Sequence, residues 1–480
     1  MDDSFIAFRY ASHLANGNGL VWNVGEKIPN EGYTSFLWVA VLALTHKFGA
    51  DLVTASKLIG ILFTLFTACV CFWSVYRVSD STYPAPVRLI AGAATTLFLL
   101  ANVNLSSQVI SGMDTSISLF LSTFFFASTA FYLKAQRPPG IKAAFVIGIL
   151  AVLSGLSRPE FNLSAAAALL AMICIFTPQR KFAVYALSVY AVCGLIYFIW
   201  HYNYFGLLVP LSFYIKQLGM HQSHFPDFPV VVYFIKSLWP LYLFLGFFAL
   251  SIYKENKNWL PALIGVAINI IYFTTPKHEM GVNFRFLFPI YPALTIFSGL
   301  GVLKLWHILK YRARIYTATT AAVCLIFCFC QIGEHSTNDM RGYASDHKAH
   351  IALGRILAEI DPKGEKVLAI AAGGMVPYYS NWNTIDTFGL TNREIAIMRS
   401  KDLYDAGMIM SKYKPDILVL LSTNRNNYVP YLTFEKSLYD ESLKLNYRNV
   451  GALEFDSNNY YLWIMTRDVE LFDILKNKIS

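Results

Sequence analysis

The 480-residue chain predicts a mainly α, polytopic helical membrane protein with a small soluble α/β domain at its C-terminus. Three observations lead there. Hydrophobic residues make up 55% of the chain and charged residues only 14%, where a soluble domain carries about 25% charged residues. The apolar residues fall in long runs rather than in alternating ten-residue strands, which indicates helical spans and not a barrel. From about residue 335 onward the composition turns charged and loop-rich.

In chain order, a first loop over 1–53 opens with two adjacent acids, MDDSFIAFRY, and an amphipathic run. Ten apolar segments follow, near 54–76, 87–103, 115–133, 142–157, 161–176, 182–200, 229–253, 258–275, 286–304 and 314–332. Several are closer to 16 residues than to the roughly 20 that a perpendicular span needs. In the tail, KVLAIAA (366–372) and PDILVLLS (415–422) read as buried strands, and AHIALGRILAEI (349–360) has helical spacing. NVGALEF and YYLWIMTR, separated by DSNN, read as a hairpin. The pair Gly373–Gly374 after a strand is no dinucleotide fingerprint. Seven cysteines lie inside apolar runs with no zinc or disulfide spacing, so they count as small apolar residues.

Loop charge sets the orientation. One set of loops holds thirteen basic residues: Arg77, Arg88, Lys134, Arg137, Lys142, Arg180, Lys181, Lys254, Lys257, Lys304, Lys310, Arg312 and Arg314. The alternate set holds four: Arg158, Lys216, Lys277 and Arg285. The positive-inside rule places the first set in the cytoplasm, and the first loop and the tail on the other side. The net charge of +9 is explained by these loops and calls for no nucleic acid. A first loop on the far side is normally delivered by a preceding span, so a helix ahead of the acidic pair is expected.

The far-side basic residues keep acidic company. Asp2, Asp3, Arg9 and Glu31 share the first loop, Asp114 lies in ISGMDTS, and Arg158 and Glu160 in SRPEF. Lys216 ends VPLSFYIK, while Lys277, His278, Glu279 and Arg285 lie in PKHEMGVNFRFLFP. Charges at a membrane edge are costly and point to function. Carboxylates beside fixed cations can hold a phosphate while deprotonating a hydroxyl. Plainer assignments stand beside this one. Asp2–Asp3 could cap the helix that follows, Arg158–Glu160 could be an interfacial ion pair, Lys216 could anchor a loop, and His278 could be a solvated interface residue.

Read together, the motifs resemble a known family. DDSFIAFRYASHLANGNGLVWN followed by EGYTSFLW resembles the first extracytoplasmic loop of GT-C type, polyprenyl-phosphate-dependent glycosyltransferases, most closely the mycobacterial terminal arabinofuranosyltransferases. SGMDTSISLFL, SRPE and NFRFLFP resemble further elements of that group. VPLSFYIK resembles a P-N-T-x-x-x-K element, with Leu211 and Ser212 in place of its Asn-Thr pair. The stretch VPYYSNWNTIDTFGLTN is similar to the far-side domain of such proteins.

The resemblance implies a GT-C fold with two surface helices in the first loop, at DDSFIAFRYASHLA and YTSFLWVAVLALTHKFG. It implies a multi-pass protein of the bacterial plasma membrane with an extracytoplasmic active site. Asp2 or Asp3 would be the catalytic base, with Asp2 favoured, and the pair could recruit Mg²⁺ or Ca²⁺. Arg158, Lys216 and Arg285 would hold phosphate, and Arg9, Glu31, Tyr33, Asp114, Glu160 and His278 would complete substrate binding. The implied partners are a polyprenyl-phosphate sugar donor, an envelope glycan or glycolipid acceptor, and the lipid bilayer. Two rivals remain: a non-catalytic carrier or assembly protein for lipid-linked sugars, and a transferase of aminoarabinose or mannose to lipid A or protein.

Overall fold

The computed structural model describes residues 1–78, 82–135, 139–218, 228–275, 284–333, 348–371, 373–456 and 460–479. Two helices precede the bundle, α1 (Asp2–Ala15) and α2 (Phe36–Lys47), and they pack on each other. The bundle follows as α3 (Leu52–Val78), α4 (Ala85–Leu100), α5 (Val103–Val109), α6 (Thr115–Lys134), α7 (Ile141–Ser157), α8 (Phe161–Ile175) and α9 (Arg180–Phe205). It continues as α10 (Leu211–Leu218), α11 (Phe228–Ser237), α12 (Tyr242–Ser251), α13 (Leu260–Tyr272), α14 (Tyr291–Ile308) and α15 (Ala313–Gly333).

Each of the ten expected segments is helical, but they are not alike. Among the described residues, five helices are long and apolar enough to cross a membrane, and seven if two bent pairs each count as one span. The 65° bend between α4 and α5 falls at the end of the expected segment 87–103, and the 51° bend ahead of α12 falls inside the expected segment 229–253. The first has a local cause: the Asn102 side chain accepts the Leu105 amide and starts a new helix. Helices α7, α8 and α13 have 17, 15 and 13 residues, the short segments that the sequence anticipates.

Helix α14 forms the centre of the bundle and packs on α12, α4 and α3. Its SGLG stretch permits that. A Cβ on Gly301 would lie 1.8 Å from the Phe244 carbonyl oxygen, and one on Gly299 would lie 1.9 Å from Thr95 Oγ1. Small residues let helix backbones approach where lipid offers no hydrophobic drive to associate. Phe297 then stacks on Phe248, with ring centroids 4.6 Å apart.

The C-terminal part is a five-stranded sheet of order β2-β1-β3-β5-β4, flanked by helices. Strands β1 (Val367–Ile370), β2 (Asn383–Asp386) and β3 (Ile417–Ser422) are parallel. The hairpin β4 (Arg448–Asp456) and β5 (Tyr460–Thr466) adds antiparallel to β3. Every residue of β3 is buried, which explains its unbroken apolar pattern.

This unit is bonded to the first loop. Asn23 pairs with Thr384 of β2 like a short strand, accepting its amide at 2.9 Å and donating to its carbonyl at 3.0 Å. The Trp22 indole donates to the same carbonyl. Arg393 donates to the carbonyls of Phe205 and Gly206 at the end of α9.

Candidate functional site

Helix α1 begins with its two acids about 100° apart around the axis, and that angle separates their surroundings. Asp2 turns to the C-terminal unit. Its Oδ1 accepts the Met375 amide at 2.7 Å and its Oδ2 the Gly374 amide at 3.1 Å, at the start of the Met375–Ser380 helix. Burial pushes its carboxyl above the usual carboxylate range, against the opposing pull of His350 and of those amides. Asp3 faces the bundle, with Oδ2 3.7 Å from Nη1 of Arg285.

Asp3 and Arg285 line one cavity with Tyr33, Ser35, Asp114 and Ser212. Arg285, Ser212 and Thr34 also line a second cavity, of about 270 Å³, so the two are contiguous. The second holds Arg158 and Glu160 at its polar end, and its walls include Leu163, Phe213, Tyr272 and Phe286. Arg158 Nε donates to Glu160 Oε1 at 2.5 Å, and its Nη1 lies 3.6 Å from Asp114 Oδ2. Phe286 lies between the two arginines, with both guanidinium carbons near its ring, at 5.0 Å for Arg158 and 5.2 Å for Arg285.

The charges are held in tension. Burial lowers the pKa of Arg285, while Asp114 and Asp3 oppose the shift. Burial works against Arg158 too, but Glu160 and Asp114 outweigh it and its pKa lies above the ordinary value. Four buried polar atoms here have no hydrogen-bond partner among the described residues: Arg285 Nε, Arg158 Nη1, Asp114 Oδ1 and the Tyr33 hydroxyl. Leaving such a group unsatisfied costs about 1–3 kcal/mol each, so native proteins hold few of them. Grouped around joined cavities, the two guanidinium nitrogens and the Tyr33 hydroxyl are placed to donate to an anionic ligand, while Asp114 Oδ1 can only accept.

A third cavity, of about 410 Å³, shares Thr34, Pro159, Val209 and Pro210 with the second. At its polar end His201 Nε2 lies 2.6 Å from Glu31 Oε2, with both side chains buried. Burial pushes the Glu31 carboxyl up, and the hydrogen bond and charge of His201 pull it back.

The expected site residues therefore divide. Asp3, Tyr33, Asp114, Arg158, Glu160 and Arg285 line the first two cavities, and Glu31 lines the third. Arg9 does not join them, which corrects its expected substrate contact. Its guanidinium is buried and donates to the carbonyls of Trp22, Pro377 and Trp382 and to the Asn23 side chain, so its donors hold the first loop to the C-terminal unit. Asp2, favoured as the base from sequence, has both oxygens engaged by backbone amides. Lys216 lies on α10 with its side chain outside the described residues, and His278 lies outside them entirely.

Sequence reasoning missed His201, Thr34 and Ser212. His201 carried a usable signal, an ionisable residue ending an otherwise apolar segment. Ser212 is one of the two residues that depart from the P-N-T-x-x-x-K element that the stretch resembles, and it lines both of the first two cavities.

Comparisons with known proteins give two results. A domain of unknown function, DUF8728, matches residues 338–472. The crystal structure of ArnT from Cupriavidus metallidurans bound to undecaprenyl phosphate has a TM-score of 0.62 with this chain. Identity is 12%, over 98% of this chain and 94% of that one. The chain thus has the GT-C membrane fold with a small C-terminal sheet. No curated protein sequence matches it.

Proposed function

We propose that this protein is an inverting membrane glycosyltransferase that moves a monosaccharide from a polyprenyl phosphate to a hydroxyl of an envelope glycan or glycolipid. The observation that carries this reading is the set of four unpartnered buried polar atoms between Asp3 and the apolar second cavity. The bound undecaprenyl phosphate of the ArnT structure supports the donor class.

In this reading Asp3, not Asp2, is the general base. The acceptor oxygen attacks the anomeric carbon from the face opposite the phosphate, and its proton passes to the Asp3 carboxylate. The carbon–oxygen bond to phosphate breaks, and the electron pair leaves with the polyprenyl phosphate. Arg285 and Arg158 neutralise that charge, most effectively because they act in a site screened from water. Asp114 and Glu160 keep the arginines in place. The polyprenyl chain lies against Leu163, Phe213 and Phe286, since withdrawing it from an apolar environment costs about 0.8 kcal/mol per CH₂.

Among the described residues no three of His, Cys, Asp and Glu gather as a metal site, and the Asp2 oxygens each accept one backbone amide. No step is routed through a metal.

The loop-charge asymmetry supports an extracytoplasmic site. A fusion after Ser480 to a reporter active only in the cytoplasm should be silent, and an active one would reverse the orientation. The carrier reading draws support from the two bent helix pairs, a feature of transporters. Mass spectrometry of lipid-linked sugars and envelope glycan in a deletion strain separates the readings. Loss of one sugar from the glycan, with its donor accumulating and activity restored by the purified protein in vesicles, is the expected result. Purified protein that moves the donor across vesicles without transferring sugar would end the transferase reading.

A further inference from the structure

Outside the joined cavities, a groove of about 400 Å³ lies between α1 and the C-terminal unit. That volume falls within the roughly 300–1,000 Å³ of small-molecule sites. One wall is the later part of α1, with Ser12, His13 and Asn16. The other is Tyr378 and Tyr379 of the Met375–Ser380 helix, with Asn381 just after it. Asn18 and Val24, both exposed, complete the rim.

We infer that this groove binds a neutral oligosaccharide. The first reason is charge. No Lys, Arg, Asp or Glu lines it among the described residues, His13 donates its Nδ1–H to the Val21 carbonyl, and burial and the charge of Arg9 lower the pKa of its ring. A phosphate, nucleotide or acidic ligand would meet no cation there. Arg355 sits over the Tyr379 ring and Arg9 acts on His13, but neither is part of the lining.

The second reason is the mixture of groups. Three side-chain amides and a hydroxyl can each donate and accept, as the alternating hydroxyls of a sugar require. Tyrosines present a flat apolar face and a polar tip, which suits the C–H face and the hydroxyl rim of a sugar ring. Tyr378 and Tyr379 are both half-buried and set edge to face, with centroids 5.2 Å apart.

The third reason is position. The groove's walls are the helix that carries Asp3 and the helix capped by Asp2. His13 lies ten residues beyond Asp3, about 15 Å along α1 at 1.5 Å per residue. Asp3, Ile6 and Ala7 line the reaction cavity, while Ser12, His13 and Asn16 line the groove further along the same helix. A ligand held here is thus a polymer tethered beside the reaction cavity, not the reacting sugar. Its identity as the acceptor rests on the transferase reading; its binding does not.

The test uses the full chain in nanodiscs with fluorescent gluco-, manno-, galacto- and arabino-oligosaccharides of increasing length. Wild type should bind at least one series, with affinity rising from monomer to oligomer. Tyr379→Ala and Val24→Trp should each weaken binding at least tenfold, the latter by filling the groove from an exposed position that the fold tolerates. Asp3→Asn should bind as wild type does. No binding by wild type, or undiminished binding by both groove variants, overturns the inference. Binding that persists in a wild-type protein that transfers no sugar leaves the groove standing and removes the transferase reading instead.

Discussion

Asp2 accepts the amide of Met375 at 2.7 Å, across 373 positions of sequence. That bond makes the first acid of the chain a helix cap for the C-terminal unit and leaves its neighbour Asp3 to face Arg285. Two adjacent carboxylates thus have separate duties. Asp3→Asn should cut sugar transfer by about 10²–10⁴, the range for general-base catalysis, with an unchanged unfolding temperature. Asp2→Asn should do the reverse: an amide still accepts a hydrogen bond but loses the charge, so stability falls by about 0.5–2 kcal/mol and turnover per folded molecule stays within a few-fold. Transfer assays beside thermal unfolding decide it. Full activity in Asp3→Asn, or loss of chemistry without loss of stability in Asp2→Asn, would reverse the assignment.

Arg9 offers a sharper contrast between folding and chemistry. Its donors serve three backbone carbonyls and the Asn23 side chain, and its guanidinium lies over Trp22 at 4.6 Å. Arg9→Ala strands buried acceptors on both partners, at about 1–3 kcal/mol for each one left unsatisfied. The expected outcome is a large fall in unfolding temperature and easier proteolysis between the first loop and the C-terminal unit. Arg9→Lys should recover little, since one ammonium cannot reach four acceptors held in a planar fork. A stable Arg9→Ala protein with a raised KM for donor would return Arg9 to the substrate site.

The membrane core was legible because length and apolarity are local properties of the sequence. So were β3 and the β4–β5 hairpin, whose patterns need no partner to be recognised. What escaped depends on distant contacts. Strand β2, NTID, is short and has one apolar residue in four, and it is a strand only because β1 and Asn23 pair with it. Arg9 and Arg285 look alike in sequence as basic residues beside aromatics. Only the fold shows that one is saturated by carbonyls and the other has an unpartnered Nε. The acidic pair could be found by pattern, but the choice between Asp2 and Asp3 needs the C-terminal helix that one of them caps.

Arg285 and Arg158 should separate by what surrounds them. Arg285→Ala removes the cation nearest Asp3, and the affinity for polyprenyl phosphate in nanodiscs should fall at least tenfold. Arg158→Ala should be worse for folding, because Asp114 and Glu160 would remain buried without their cation. Removing one partner of a buried pair costs about 3–5 kcal/mol. Replacing Arg158, Asp114 and Glu160 together by neutral residues should restore stability but not phosphate binding. If the triple variant binds phosphate as wild type does, the Arg158 cluster is structural and Arg285 acts alone.

Glu435 ties the stability of the C-terminal unit to pH. Its side chain is fully buried, Oε2 accepts the Leu421 amide of β3 at 2.9 Å, and burial pushes its pKa up to about 8 from an ordinary 4.5. The folded state therefore holds a proton that the unfolded chain releases. Between pH 4.5 and 8 the native protein binds more protons than the unfolded one, so its stability falls as pH rises through that window and levels off above it. The slope cannot exceed about 1.4 kcal/mol per pH unit for one group. Glu435→Gln keeps the shape and an acceptor while removing the titration, so the stability difference between variant and wild type should widen in favour of Gln from pH 5 to pH 8. Urea unfolding followed by tryptophan fluorescence across that range measures it. Parallel curves for the two proteins would mean that Glu435 is ionised in the fold and that a partner for its charge must be sought around Oε1.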